Sequence, residues 1–118
     1  MVREIKLKFW LPKRNVITRA YHWYETGAVS DLTEDVIPLE YTGLKDINGI
    51  EIYEGDILFI HNEDGSSCTS KVIWGGYYPA FDLSPSLDAE YNQLQHATLV
   101  LTCKVIGNIY NTPELLKS

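Results

Sequence analysis

The chain opens on a period of two. In Glu4-Ile5-Lys6-Leu7-Lys8-Phe9-Trp10-Leu11, the apolar Ile5, Leu7, Phe9 and Leu11 alternate with Lys6, Lys8 and Trp10. That is the pattern of a strand with one face toward a core and one toward water, and it predicts that Lys6, Lys8 and Trp10 share an outward face. Pro12-Lys13-Arg14-Asn15 reads as a turn, with the proline ring presetting φ. Val16 to Tyr24 resumes a β-rich run, so residues 4–24 are expected to form a hairpin that ends at Glu25-Thr26-Gly27. The pattern lapses over residues 28–38. Ser30 and Glu34 suit the opening of a short helix, Pro38 would stop it, and the expectation is an acidic loop with at most one helical turn.

The strongest patterning lies between Tyr41 and His61. Asp46-Ile47-Asn48-Gly49 is a turn signature in which Gly49 supplies positive φ, with Leu44-Lys45 and Ile50 to Tyr53 as the arms of a hairpin. Glu54-Gly55-Asp56 is a second turn, its Asp56 carboxylate placed to accept nearby backbone N–H groups. Ile57-Leu58-Phe59-Ile60 is apolar at every position, as in a central strand covered on both faces. Asp64-Gly65 marks a hairpin tip. Cys68 to Trp74 and Tyr77 to Leu83 read as strands separated by Gly75-Gly76, and residues 84–98 as a polar surface excursion. Leu99 to Ile106 reads as a last long strand, Gly107-Asn108 as a turn, and Ile109-Tyr110 as a short strand. Thr112-Pro113-Glu114-Leu115-Leu116 has the cap, first-turn proline and acid of a helix start. About seven short strands at this spacing predict a mainly β fold, a partly open small barrel or a sandwich, with a short C-terminal helical turn.

Composition narrows the class. With 118 residues the chain suits one domain, 1–118, made of the basic hairpin at about 4–24 and a β core at about 41–110. An apolar fraction of 45% excludes a disordered chain, and a net charge of -6 argues against a globally basic nucleic-acid binder. No apolar run has the length of a membrane span, and the first residues do not open a signal peptide, so the expected location is the cytoplasm. Cys68 and Cys103 fall in strands outside any CxxC pattern and are expected to be reduced thiols.

The central residues carry a resemblance. Tyr41-Thr42-Gly43-Leu44-Lys45-Asp46, Asn48-Gly49 and Glu51-Ile52-Tyr53-Glu54-Gly55-Asp56-Ile57 resemble the hallmark of the YopX family. Val105-Ile106-Gly107-Asn108-Ile109-Tyr110 with Pro113-Glu114-Leu115-Leu116 is similar to that family's C-terminal signature, and Lys6-Leu7-Lys8-Phe9-Trp10 to its basic-aromatic first strand. Leu11-Pro12-Lys13-Arg14-Asn15 departs from the short acidic turn usual there. The resemblance implies a mostly β protein of phage or prophage origin, in a bacterial cytoplasm. It supplies no activity and no catalytic residue.

Candidate chemistry is thin. His22, His61 and His96 lack metal-ligand spacing, so no metal is expected. Glu54 and Asp56 would share a face on a regular strand, as paired carboxylates do, but Gly55 breaks that geometry and Asp56 reads as a turn cap. No GxSxG, phosphate-binding loop or dinucleotide fingerprint occurs, so no cofactor, catalytic residue or small-molecule substrate is expected.

Charge is segregated along the chain. Residues 1–24 carry six basic residues against Glu4, a balance of +5, while residues 25–118 carry four basic and 15 acidic residues, a balance of -11. The basic segment also holds Trp10, Tyr21, Trp23 and Tyr24. The leading expectation is therefore a non-enzymatic homo-oligomeric binding or assembly protein. Its interaction surface would be Lys6, Lys8, Trp10, Lys13, Arg14, Arg19 and Trp23, docking on acidic surface of another copy. Two alternatives are nucleic-acid binding by the same hairpin, and capture of a basic host protein by the acidic remainder.

Overall fold

Two antiparallel sheets follow from these patterns. The computed structural model describes residues 5–25, 35–62, 64–74, 81–84 and 101–116. The strands are β1 (Lys6–Leu11), β2 (Val16–Ile17), β3 (Tyr21–His22), β4 (Ile37–Lys45), β5 (Glu51–Tyr53), β6 (Asp56–His61), β7 (Ser67–Trp74), β8 (Phe81–Ser84) and β9 (Thr102–Asn108). Short 3-10 turns occupy Trp23–Glu25 and Pro113–Leu116. The first sheet runs β2-β1-β4-β5 with β3 also on β1, and the second runs β8-β7-β6-β9. The fold is mainly β, and one sheet curls into a half-barrel.

The N-terminal hairpin forms, but its return strand is split. Trp10 pairs with Ile17 and Leu11 with Val16, whereas Lys6 pairs with His22 and Leu7 with Tyr21. Between them the Thr18 hydroxyl accepts the Phe9 N–H at 3.1 Å and donates to the Arg19 carbonyl at 2.8 Å. A side chain thus takes a place in the ladder, which favours local turns over regular pairing. At the tip, the Arg14 N–H donates to the Leu11 carbonyl and Asn15 sits at φ 54°, a conformation asparagine tolerates better than most residues.

The expected orientation of β1 is reversed for its polar positions. Lys6, Lys8 and Trp10 do share a face, but that face turns inward. Lys8 lies opposite Leu39 and Trp10 opposite Ile37 on β4, whose Tyr41 is in turn opposite Tyr53 of β5. Leu39, Tyr41 and Tyr53 are all buried, and Trp10 is only 7% exposed. The other face is covered as well: Phe9 and Leu11 are buried against Leu7, Tyr21 and Val36. Alternation in sequence therefore marks two different environments on β1, neither of them open water.

β6 is the central strand of the second sheet, between β7 and β9, and Ile57, Leu58 and Ile60 are fully buried. The main core gathers Ile52, Leu58, Ile60, Val72, Phe81, Leu83, Leu101 and Cys103, so it draws on both sheets. Cys68 and Cys103 both lie opposite Ile60, on either side of it. Two strand spacings separate them, about 9.6 Å, which exceeds the reach of a disulfide. Neither cysteine is in a disulfide.

The C-terminal segment departs from expectation in detail. Gly107 and Asn108 end β9 rather than turning, with a register shift at Ile57/Leu58 opposite, and Ile109-Tyr110 is a turn. The Thr112 hydroxyl accepts the Asn108 N–H at 3.0 Å, so it caps the end of β9. Pro113–Leu116 then packs on β7 and β9, where a Cβ on Gly107 would meet the Thr112 Oγ1 at 2.1 Å. Glycine is needed at 107 for this close approach. Of the loop expected over 28–38, residues 28–34 lie outside the described residues and Ile37 and Pro38 belong to β4; Gly75-Gly76 and, apart from Ser84, which ends β8, the excursion expected over 84–98 also lie outside them. Pro38, expected to stop a helix, instead stands in β4 opposite Phe9.

Candidate interface on the N-terminal hairpin

The seven residues read from sequence as one surface separate into two environments. Lys6 forms an ion pair with Glu51 and its ammonium lies 4.8 Å from the Tyr41 ring centre. Lys8 points its ammonium at the Tyr53 ring, 4.5 Å away. Both lysines bury their aliphatic stems while the charge finds an aromatic face. The Trp10 ring stacks on Tyr110 at 5.8 Å, joining the first sheet to the segment after β9. These three residues are structural. Burial pushes the Glu51 carboxyl up, but Lys6 and the Tyr53 hydroxyl outweigh it and hold the carboxyl below its ordinary range.

The other four remain outward. Lys13 and Arg14 are exposed in the β1–β2 turn. Arg19 covers the Tyr21 ring at 3.9 Å and reaches Glu25 at 3.7 Å. Trp23 is 62% exposed on the 3-10 turn, and beside it stands Tyr24, 68% exposed, with the rings edge to face at 5.9 Å. Tyr24 stacks on His22 at 5.2 Å, and the Glu25 Oε1 accepts the His22 N–H at 2.9 Å, which closes the turn. That hydrogen bond is the main cause of the lowered Glu25 pKa, with Arg19 adding to it. Tyr24 belongs to this surface, although the period-two reading did not select it. A 3-10 turn projects consecutive side chains outward, and that geometry follows the break after Thr18.

The glycine and aspartate positions of the central motif fasten the two sheets. The Asp46 Oδ1 accepts the N–H groups of Asn48 and Ile50 at 2.8 and 2.9 Å, and its Oδ2 accepts the Val105 N–H of β9 at 3.0 Å. Burial raises the Asp46 pKa, but these three donors and the Lys104 charge prevail and hold it low. The Ile47 N–H donates to the Cys103 carbonyl beside them. Gly49 and Gly55 sit at φ 81° and 85°. Asp56 accepts the Tyr53 N–H at 2.8 Å and the Asn108 side-chain amide at 3.1 Å. Its pKa is raised, because burial outweighs both bonds. Both Asp56 oxygens are thus engaged in the turn, which leaves the Glu54–Asp56 pair without an acid–base geometry.

A cleft of about 160 Å³ is lined by Lys45, Asp46, Ile47, Leu101 and Cys103. Burial pushes the Cys103 thiol up to about 11, so at neutral pH it is protonated and a poor nucleophile. Among the described residues no group of three or more His, Cys, Asp or Glu side chains is placed to hold a metal ion. No helix among them is long and apolar enough to cross a membrane.

Comparison with known proteins places this arrangement. The sequence matches the family model described as YopX protein over residues 9–117. The chain belongs to the YopX family. Two chains of solved structures also match. One is the crystal structure of protein EF1440 from Enterococcus faecalis, at a TM-score of 0.63 and 19% identity, covering 96% of this chain and 98% of that one. At that identity the likeness establishes a common fold. No curated protein matches the sequence. In this YopX chain, Asp46, Gly49, Gly55, Asp56 and Asn108 shape turns and join strands, so the motif that carries the family resemblance is architectural.

Proposed function

We propose that this YopX protein is a phage- or prophage-encoded, non-enzymatic binding and assembly protein that self-associates through the outer side of its N-terminal hairpin. The observation that carries the reading is the exposed Trp23–Tyr24 pair on the 3-10 turn whose Glu25 is reached by Arg19. Large aromatic rings next to arginine are the residue types that anchor interfaces. The chain beyond residue 24 carries -11, and Asp35, Asp64 and Glu114 are exposed on it, which supplies a complementary surface on a second copy. Different patches meeting in this way give head-to-tail contacts, hence rings or filaments. Lys6 and Lys8 are engaged inside the sheet, so Lys13, Arg14 and Arg19 are the residues that steer the encounter.

Size-exclusion chromatography with light scattering, at low and high salt, tests this. A mass well above 13.5 kDa that falls as salt rises is expected. Trp23→Ala with Tyr24→Ala should return a folded monomer. A wild-type monomer at both salts overturns the proposal, and a salt-insensitive multimer overturns its charge-steered form.

A further inference from the structure

Asn48 is the one asparagine of this chain that precedes a glycine. It is exposed in the β4–β5 turn, and its side-chain amide makes no hydrogen bond among the described residues. Gly49 carries no Cβ, and the space where one would stand is open, with no atom within 4 Å beyond its chain neighbours. The pair thus sets a carboxamide carbon beside the least hindered backbone nitrogen that can attack it. In that reaction the Gly49 nitrogen gives up its proton and bonds to the Asn48 Cγ. The Cγ–Nδ2 bond breaks, and the amide nitrogen leaves with a proton as ammonia, which closes a succinimide ring. Water then opens the ring at either carbonyl. The product is aspartate, or isoaspartate with the main chain running through Cβ and Cγ. One water is consumed, one ammonia is released, and nothing is oxidised or reduced.

The turn restrains this attack. The Gly49 N–H donates to the Asp46 carbonyl at 3.0 Å, and the Asn48 N–H donates to the Asp46 Oδ1 at 2.8 Å. The peptide groups on both sides of the Asn48 Cα are thereby held, so the Gly49 nitrogen cannot swing toward Cγ without breaking a bond. Asp46 is itself anchored. It is buried, its Oδ2 accepts the Val105 N–H of β9, and the neighbouring Ile47 N–H donates to the Cys103 carbonyl of the same strand. Attack therefore requires a local opening, whose free energy is set by the bonds it breaks. The product acts on the same bonds. Either form adds a negative charge near the Asp46 carboxylate. Isoaspartate also lengthens the turn by one backbone atom, which spoils the spacing that lets the Asn48 and Ile50 N–H groups share one oxygen.

We infer that Asn48–Gly49 is a site of spontaneous deamidation gated by the Asp46 turn, and that the isoaspartate formed there loosens the junction of the two sheets. No residue of the hairpin surface takes part, so this inference and the proposed assembly can fail separately.

The test is incubation of the full chain at mildly alkaline pH, with peptide mapping by mass spectrometry and enzymatic methylation of isoaspartate as readouts. Asn48 should be modified ahead of every other asparagine, and more slowly in folded protein than in urea. Asp46→Ala should raise the folded rate by about tenfold or more, equivalent to at least about 1.4 kcal/mol in the opening equilibrium. Asp46→Asn, the milder change, should fall between and serves if the alanine variant does not fold. Leu11→Ala weakens the fold from the separate cluster around Phe9 and should leave the rate near that of wild type. Asn48→Gln would have to close a larger ring and should give no product. Aged wild-type protein should melt below fresh protein, and aged Asn48→Gln should melt unchanged. The absence of isoaspartate at 48 in both wild type and the folded Asp46 variants overturns the inference. Equal rates in wild type and those variants, or an equal acceleration by Leu11→Ala, overturn the gate. An isoaspartate form that melts like fresh protein overturns the loosening.

Discussion

Replacing Asp46 with alanine is the most direct test of how the two sheets are joined. The carboxylate accepts three backbone N–H groups, two inside its own turn and one from Val105, 59 residues away. Hydrogen bonds to charged groups contribute about 1.5–3 kcal/mol each, with partly exposed turn bonds at the low end. Asp46→Ala removes all three and strands the Val105 N–H, so a loss of about 3–5 kcal/mol is expected, a large share of a typical 5–15 kcal/mol. For a domain of this size that corresponds to a fall in Tm on the order of 10–20 °C. Asp46→Asn keeps one acceptor oxygen and turns an amide toward Val105, and it should cost about half as much. Urea unfolding followed by circular dichroism reads both.

The pH dependence has a definite sign. The folded pKa of Asp46 lies below the ordinary 3.8, so its contribution is fully present above that value. It is lost as pH falls through the folded pKa, and the acid limb of the stability curve should flatten in Asp46→Asn. A loss under about 1 kcal/mol for Asp46→Ala, or equal losses for the two variants, would refute the three-donor reasoning.

Two further outcomes follow from the backbone and the thiols. Gly55→Val should destabilise more than Gly49→Val in a thermal melt. Both positions have positive φ, which costs a non-glycine residue roughly 1–2 kcal/mol, but only at Gly55 would a Cβ press on the Asn108 side chain, at 3.2 Å. An unchanged Tm in both would contradict the turn geometry. Mild oxidation should form no disulfide between Cys68 and Cys103 within the chain, and a thiol reagent at neutral pH should modify half-buried Cys68 well before Cys103. An intramolecular disulfide in the mass spectrum would disprove the strand register around Ile60.

Most of the fold was legible because most of it is local. Asp46 to Gly49 and Glu54 to Asp56 need only a short polar side chain and a glycine at fixed spacing to turn the chain, and both turn as read. The unbroken apolar run from Ile57 to Ile60 marked the central strand, since only a strand covered on both faces has no use for a polar position. Gly107 was misread as a turn because its requirement is steric: the space a Cβ would fill belongs to Thr112 and Leu115, and their approach is set by the packing of Pro113–Leu116 on the sheet.

The orientation of β1 and the fastening of the sheets were decided by tertiary structure alone. Alternation in Lys6 to Leu11 specifies two faces that differ in polarity, but it does not say which neighbours each will meet. Tyr41, Tyr53 and Glu51 arrive from β4 and β5 with rings and a carboxylate that accommodate two lysines, while Trp10 finds Tyr110 from beyond β9. Those partners lie tens of residues away along the chain. The candidate surface accordingly lost Trp10 to the interior and the half-buried Lys6 and Lys8 to partners within the sheet, and gained Tyr24. Local sequence determined where this chain turns and extends, because those preferences reside in single residues and their immediate neighbours. Which side chains remain for a partner depended on long-range pairing, because burial is a property of the assembled sheets.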